Sequence, residues 1–182
     1  MSATETLRKD HQHVMRLDAI IQSCYKTLYS GIHVPISDIR QITVIISEFF
    51  DSIHYTREED SYFACVAGYG ELKDDIRKFM IEHEFGRRIA SKISKHLDDY
   101  KRDELNTYEP VARFLRTYSI YLNDHVSKEE KFFDQVESTI LSAEEEREMY
   151  EQFNSSMATA KKLSGIIKQM EILEDLPWAR IS

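Results

Sequence analysis

The chain has 182 residues, 31% of them charged, and its formal net charge is −8 at pH 7. This length is enough for one domain with a sizeable core. Because acidic residues outnumber basic ones, no basic surface of the kind that binds nucleic acid or an anionic membrane is expected, and neither partner is predicted. The few glycines and prolines, five and three, indicate long helices with short connections.

The first predicted helix runs from about residue 4 to residue 29. Its apolar positions recur at steps of three and four, and His11 belongs to this inward-facing stripe. Asp18 falls on the same stripe, where it either hydrogen-bonds a neighbour at the edge of the core or supports His11 from behind. Gly31 and Pro35 mark the end of the helix.

The second predicted helix runs from about residue 37 to residue 67. His54, Glu58 and Tyr62 follow one another at steps of four residues, so their side chains share one face of the helix. Glu59 is one position further round, and we expect it to face solvent or a neighbouring helix. An imidazole and a carboxylate stacked in this way can both reach one metal ion or one metal pair.

The third and fourth predicted helices run from about residue 72 to 100 and from Pro110 to about 138. His83 lies on the inner face of the third, with Gly86 three residues later. A glycine within a helix costs about 1 kcal/mol relative to alanine, so Gly86 is expected to leave room beside His83. The fourth helix carries His125 and, one turn earlier, Tyr121, which is either a plain core residue or places its hydroxyl near the site.

The residues 142–145 form a capping box that begins a single predicted fifth helix. Its inward-facing positions are expected at Met149, Phe153, Met157, Ala160, Leu163 and Ile167. Because it carries no histidine, this helix is predicted to support the bundle rather than the site. Residues 1–170 are predicted to form one domain and 171–182 a tail, in which Trp178 either anchors the tail or contacts a partner.

The sequence contains an internal repeat. HYTREE at 54–59 recurs as HVSKEE at 125–130, and an acidic residue precedes histidine at both 10–11 and 82–83. His11 precedes His54 by 43 residues, and His83 precedes His125 by 42. Self-similarity of motif and spacing predicts two half-sites of similar layout.

Four long helices with short connections predict an antiparallel bundle in which each helix carries one core-facing histidine. Burying two glutamates is costly unless they are paired or bind a metal, and imidazole with carboxylate suits iron, manganese or zinc. Two glutamates related by the repeat could bridge two ions, leaving two histidines for each and open positions for a small reactant. The predicted ligands are His11, His54, Glu58, His83, His125 and Glu129.

This pattern, over about residues 5–137, resembles the hemerythrin-like, or HHE cation-binding, family. The resemblance implies an all-α, up-down-up-down four-helix bundle around a non-haem di-iron centre, here with an additional C-terminal helix. It also implies that the four histidines are terminal ligands and that Glu58 and Glu129 are bridging carboxylates. Ferritin-like di-iron bundles instead place glutamate three residues before histidine.

The chain departs from the oxygen-carrying hemerythrins at two positions. Those proteins have a second histidine one turn after the third-helix ligand, where this chain has Arg87, and their last carboxylate is an aspartate five residues after its histidine, whereas Glu129 follows by four. The set of four histidines and two glutamates is similar to iron-cluster repair proteins that handle nitric oxide, and to the iron-sensing domain of a ubiquitin-ligase subunit. The departure argues against simple reversible oxygen transport.

Three functions fit these features. The leading hypothesis is a di-iron protein that reacts with oxygen, peroxide or nitric oxide, with Tyr62 and Tyr121 as candidate catalytic residues; whether this reaction is enzymatic stays open. The second is a non-catalytic protein that senses or stores oxygen or iron, and the third is a helical bundle without metal. A cytoplasmic location is predicted, because Cys24 and Cys65 fit reduced thiols and no leader peptide or membrane-spanning run is recognised.

Overall fold

The structure, a computed structural model, describes residues 1–100 and 107–180, and all its regular elements there are helical. The long helices are α1 (Ala3–Tyr29), α2 (36–66), α3 (Lys73–Asp98), α4 (Glu109–Thr139), α5 (Ala143–Phe153) and α6 (Met157–Glu174). Short 3₁₀ turns follow α2 at Gly70–Leu72 and α6 at Pro177–Arg180. The predicted all-α class is confirmed. Within these described ranges no helix has an apolar stretch long enough to cross a bilayer.

Helix α1 is fixed at both ends by local chemistry. The Ser2 hydroxyl accepts a hydrogen bond from the Glu5 backbone N–H, and the Glu5 carboxylate accepts one from the Ser2 backbone N–H, a reciprocal cap. After Tyr29, Gly31 adopts a φ of 74°, which glycine reaches without steric cost. The chain can therefore turn directly into α2.

Helix α2 is not a regular α-helix. It contains two π-helical turns, Phe50–His54 and Glu58–Tyr62. Each π-helical turn accommodates an extra residue, so adjacent side chains near it can point to the same side. As a result His54 and Tyr55 are both buried although they are consecutive. Periodicity of 3.6 residues predicted the helix but not these turns.

The buried apolar residues form two clusters, and the polar site lies between them. The smaller cluster includes Leu7 and Phe79, and the larger cluster includes Val14 and Ile89. His11 falls between Leu7 and Val14 in sequence, and His83 falls between Phe79 and Ile89. The site is therefore enclosed by packed side chains at both ends.

The prediction of a single fifth helix is wrong. Residues 154–156 interrupt it and separate α5 from α6, because Asn and Ser side chains compete with helical hydrogen bonds and favour turns and caps. Ser156 caps α6 by accepting from the Thr159 N–H. The break changes the register, so Met157, predicted to face inward, is 88% exposed, and Ala160 is exposed as well. Helix α6 also runs past residue 171, to Glu174, and residues 181–182 of the predicted tail lie outside the described residues.

The C-terminal segment is anchored by Trp178, as one of the two predicted alternatives states. Trp178 is buried, its indole N–H donates to Asp38 at 2.9 Å, and its carbonyl oxygen accepts from the Thr27 hydroxyl at 3.0 Å. Since Thr27 belongs to α1 and Asp38 to α2, the tail closes over the junction of these helices.

Replacing Trp178 by Ala is therefore expected to lower the free energy of unfolding by about 3 kcal/mol, as for other large core side chains. Trp178→Phe keeps most of the packing and removes the hydrogen bond to Asp38, so it should cost only about 1 kcal/mol. Urea denaturation of both variants measures the difference. If both variants lost an equal and negligible amount of the free energy of unfolding, the anchoring role of Trp178 would be contradicted.

Both cysteines are free thiols, as predicted. Cys24 is buried and Cys65 is half-buried. Burial raises the pKa of each thiol above its ordinary value, which keeps both thiols protonated and poorly nucleophilic at neutral pH.

Candidate metal centre

The structure brings all six predicted ligand side chains together, and each is at most 3% exposed. They come from four helices: His11 from α1, His54 and Glu58 from α2, His83 from α3, and His125 and Glu129 from α4. Burial of this many ionisable groups in one place costs free energy unless a partner compensates it. The geometry of their inner atoms indicates what that partner is.

Glu129 faces both halves of the repeat. One carboxylate oxygen, Oε2, lies 3.2 Å from His11 Nε2. The other, Oε1, lies 3.1 Å from His125 Nε2 and 3.4 Å from His83 Nε2. One carboxylate is thus directed at histidines from three helices.

Glu58 is arranged in the same manner on the opposite side. Its Oε1 lies 3.5 Å from His54 Nε2 and 3.9 Å from His11 Nε2. Its Oε2 lies 3.4 Å from His83 Nε2. Both glutamates therefore span the space between the two pairs of histidines.

Two groups of side chains in the described ranges could hold a metal ion, with their donor atoms within 4.8 Å of one another. One consists of His11, His54, Glu58 and Glu129, and the other of His83, His125 and Glu129. Glu129 is common to both. The four histidines divide between the two groups as they do between the two halves of the sequence repeat.

Most of the inner atoms lack a hydrogen-bond partner among the described residues. They are His54 Nε2, His83 Nε2, His125 Nε2, both Glu58 oxygens and Glu129 Oε1. Buried polar atoms are nearly always paired in native proteins, and nitrogen and carboxylate oxygen are suitable ligands for iron, manganese or zinc. The residues present therefore fit a bound metal pair.

The charges of the two glutamates are unequal without a metal. Burial, with the nearby Glu129 carboxylate, raises the pKa of Glu58 well above its usual range. Burial also acts to raise the pKa of Glu129, but the charge of His125 and the nearby imidazoles of His11 and His83 bring it well below its usual range. Two carboxylates this close cannot both ionise without added positive charge, which bound cations supply.

A layer of carboxylates surrounds the histidines from outside, each facing an Nδ1 atom. The distances are 2.6 Å for His11 to Glu130, 2.7 Å for His83 to Glu59, 2.8 Å for His125 to Glu82 and 3.8 Å for His54 to Asp10. For His11, His83 and His125, whose Nδ1 atoms are within hydrogen-bond distance, an Nδ1–H donated outward leaves Nε2 as the inward lone pair, which fixes tautomer and ring orientation.

These acidic residues follow the repeat. Each is next in sequence to a ligand, and two of them, Glu59 and Glu130, are the second glutamates of the repeated motif. Glu59 was expected to face solvent or a neighbouring helix, and it meets His83 of the neighbouring α3. The presence of two consecutive glutamates in both copies was the sequence signal for this layer.

Basic side chains hold the carboxylates in turn. Arg57 Nη1 donates to both Asp10 oxygens at 2.8 and 2.7 Å, and Lys128 donates to Glu82 at 2.7 Å. Arg57 and Lys128 occupy the same place in the two copies of the motif. The basic residue of the repeat therefore orients a histidine indirectly, through the intervening carboxylate.

Arg87 also belongs to this basic layer. Its guanidinium donates to Glu59 at 2.9 Å and to Asp51 at 3.0 Å, and it lies over the Tyr55 ring at 5.0 Å from the centroid. At the position where oxygen carriers have a second histidine, this chain thus has a cation that supports the carboxylate behind His83.

The candidate tyrosines occupy different surroundings. Tyr121 stacks on His125 with ring centroids 5.3 Å apart, and its hydroxyl lies 3.0 Å from that of Tyr55. The Tyr62 hydroxyl instead lies 2.8 Å from the Thr4 hydroxyl. Of the two predicted tyrosines, only Tyr121 directly contacts a candidate ligand.

Tyr55 is a site residue that sequence reasoning missed. Its ring stacks on His83 with centroids 3.9 Å apart. In a regular helix, Tyr55 would point about 100° away from His54, but the π-helical turn lets both point inward. Tyr55 and Tyr121 together cover His83 and His125.

Gly86 makes room for Tyr121 rather than for His83. A Cβ atom at position 86 would lie 2.6 Å from Tyr121 Cε1. Gly86→Ala is therefore expected to destabilise the fold by about 1–3 kcal/mol through overpacking, which outweighs the gain of about 1 kcal/mol in helix propensity.

Gly165→Ala in α6 is the matched control, because a Cβ there meets nothing within 4 Å and only the propensity gain remains. Urea denaturation compares the two variants. If both variants showed a similar rise in the free energy of unfolding, the Tyr121 ring would be able to move away from the added methyl group without a loss of stability.

The fold and the site together define a helical metal-binding protein. Residues 2–136 match the Hemerythrin HHE cation binding domain, and the chain belongs to this family. Searches of curated proteins and of solved structures gave no match. Helices α5 and α6 lie beyond the matched region.

Proposed function

We propose that the protein binds two iron ions at this centre and reacts with a small molecule: oxygen, peroxide or nitric oxide. The observation that carries the proposal is the set of buried inner nitrogen and oxygen atoms without hydrogen-bond partners among the described residues. They come from opposing helices and face one another across a space that two carboxylates span. Histidine and carboxylate ligands suit iron, and manganese or zinc would be held by the same atoms.

In this proposal His11 and His54 serve one ion, and His83 and His125 the other. Glu58 and Glu129 would contribute ligands to both ions, which their distances to both histidine pairs support. Such a ligand count leaves coordination positions open for a reactant, and the bound iron pair would supply redox chemistry. The enclosed position of the ligands keeps bulk water out.

We also propose that α1 to α4 run in alternating directions. Along α1 the chain passes from the smaller apolar cluster, at Leu7, to the larger, at Val14. Along α2 it passes from the larger cluster back to the smaller, from Tyr55 to Tyr62. Helices α3 and α4 repeat this order, which supports an up-down-up-down bundle.

Tyr121 is the proposed residue on the reactant side. Burial raises the pKa of Tyr121, and burial likewise raises that of Tyr55, with neighbouring tyrosines adding to the effect. Both hydroxyls therefore keep their protons at neutral pH and can donate hydrogen bonds. The Tyr62 hydroxyl is engaged with Thr4, so the proposal assigns it a structural role.

The test is the metal content and visible spectrum of protein produced with iron, recorded without oxygen and then after adding air, peroxide or nitric oxide. Two irons per chain and an absorption that changes on oxidation are expected. Consumption of peroxide or nitric oxide over repeated additions identifies an enzyme, whereas reversible oxygen binding or iron-dependent folding without turnover identifies a sensor or store. Absence of metal, or one tightly held zinc, would overturn the proposal.

A further inference from the structure

Outside the metal centre, a groove of about 400 Å³ runs along α6 where this helix faces α2. Its lining includes Arg57, Phe153, Ser156, Ala160, Leu163 and Ile167. Most of these residues lie after the part of the chain that matches the family. Apart from Arg57, the groove is therefore built by the segment to which the metal centre gives no role.

Arg57, one of the lining residues, carries a buried donor without a partner in the part of the chain that the structure describes. Its side chain is only 9% exposed, and Nη1 makes both contacts to Asp10. The Nε atom is buried and has no hydrogen-bond partner among the described residues. A buried donor without a partner costs free energy, and the Nε side of a guanidinium can pair with carboxylate or phosphate oxygens.

The rest of the groove suits an apolar group. The Arg57 guanidinium lies over the Phe153 ring, 5.6 Å from its centroid. Leu163 and Ile167 continue the lining along α6, with Lys168 and Glu171 toward its other end. Lys168 and Glu171 carry opposite charges, so that end has no net positive charge to hold a second anionic group, and a ligand with a single charged head fits the distribution of charge.

We propose that this groove binds a small amphiphilic anion, with one carboxylate or phosphate head at Arg57 Nε and an apolar body along α6. Its volume is within the range of ligand-binding pockets. The inference goes beyond the proposed iron chemistry and does not depend on it. Arg57 nevertheless connects the two regions, because it holds the Asp10 carboxylate that faces His54.

Isothermal titration of the full chain with decanoate tests the proposal, using inorganic phosphate as the head-group probe and decanol as the uncharged probe. Decanoate is expected to bind at one site, with decanol weaker by at least about tenfold, the factor of one charge-assisted hydrogen bond. Titrating metal-free and iron-loaded protein separately distinguishes this result from the outcome for the metal centre.

Arg57→Gln should weaken decanoate binding by at least about tenfold. Because that change also frees Asp10, Ala160→Trp is the second variant: it fills the groove from an exposed position and leaves Arg57 intact. Lys162→Gln is the matched control, since this α6 cation contacts Ser52 and does not line the groove. No decanoate binding, equal binding of decanol, or unchanged binding in either Arg57→Gln or Ala160→Trp would overturn the proposal.

Discussion

Glu129→Gln is expected to lower the affinity of the protein for both metal ions by more than about 100-fold, because loss of an outer partner alone already costs ~10–100-fold. Glu129 is the residue common to the two candidate metal groups. Its two oxygens are directed at His11 on one side and at His83 and His125 on the other. Glutamine has the same size and keeps the packing. Its amide offers one neutral, weakly binding oxygen in place of the two oxygens of a negatively charged carboxylate.

The adjacent residue provides the control for this substitution. Glu130 contacts His11 Nδ1 and Arg8 and is not part of either metal group. Glu130→Gln should therefore keep both ions at saturating metal and lose only ~10–100-fold in affinity. Competition with a coloured chelator, followed by metal analysis of the desalted protein, measures both variants. A larger loss for Glu130→Gln than for Glu129→Gln would show that the ligand assignment is wrong.

Removing the metal ions is expected to lower the thermal stability strongly. An ion present at a thousand times its dissociation constant stabilises the folded state by about 4 kcal/mol, so two contribute about 8 kcal/mol. For a chain of this length that corresponds to a fall in Tm of roughly 15–30 °C. The physical reason is that the inner histidine nitrogens and glutamate oxygens are buried without hydrogen-bond partners among the described residues.

Calorimetry of the metal-bound protein, before and after dialysis against a chelator, measures this change. The double variant His54→Ala and His125→Ala separates the metal effect from the packing effect, because it should lose most of its response to chelation. If the metal-free bundle were the functional state, chelation would leave Tm unchanged. The double variant would then be as stable as the unchanged protein, or more stable.

The positions of the candidate ligands could be predicted because they depend on local geometry. A step of four residues places His54 above Glu58, and His125 above Glu129, in any helix. The repeat then related the two halves of the chain. These relations need only the helical period, so the four helices and the six side chains that meet in the structure followed from spacing.

Other features depend on balances that no short window of sequence contains. Whether residues 142–174 form one helix or two depends on how strongly Asn154 and Ser156 compete for backbone hydrogen bonds against the packing available on each side. Whether α2 accepts π-helical turns depends on what it gains by burying both His54 and Tyr55. The prediction of one continuous helix and the omission of Tyr55 from the site have the same cause: both features depend on tertiary packing as well as on local sequence.

The helical class, the repeat, the family resemblance and the set of inward-facing histidines and glutamates could be predicted from the sequence alone, because each depends on periodicity or on a motif. Which carboxylate faces which histidine depends instead on the packing of the helices. Glu59 meets His83 and Glu130 meets His11 across helices that are distant in sequence. Such contacts depend on how whole helices pack and rotate against each other, and that arrangement minimises the free energy of the entire core rather than of any segment.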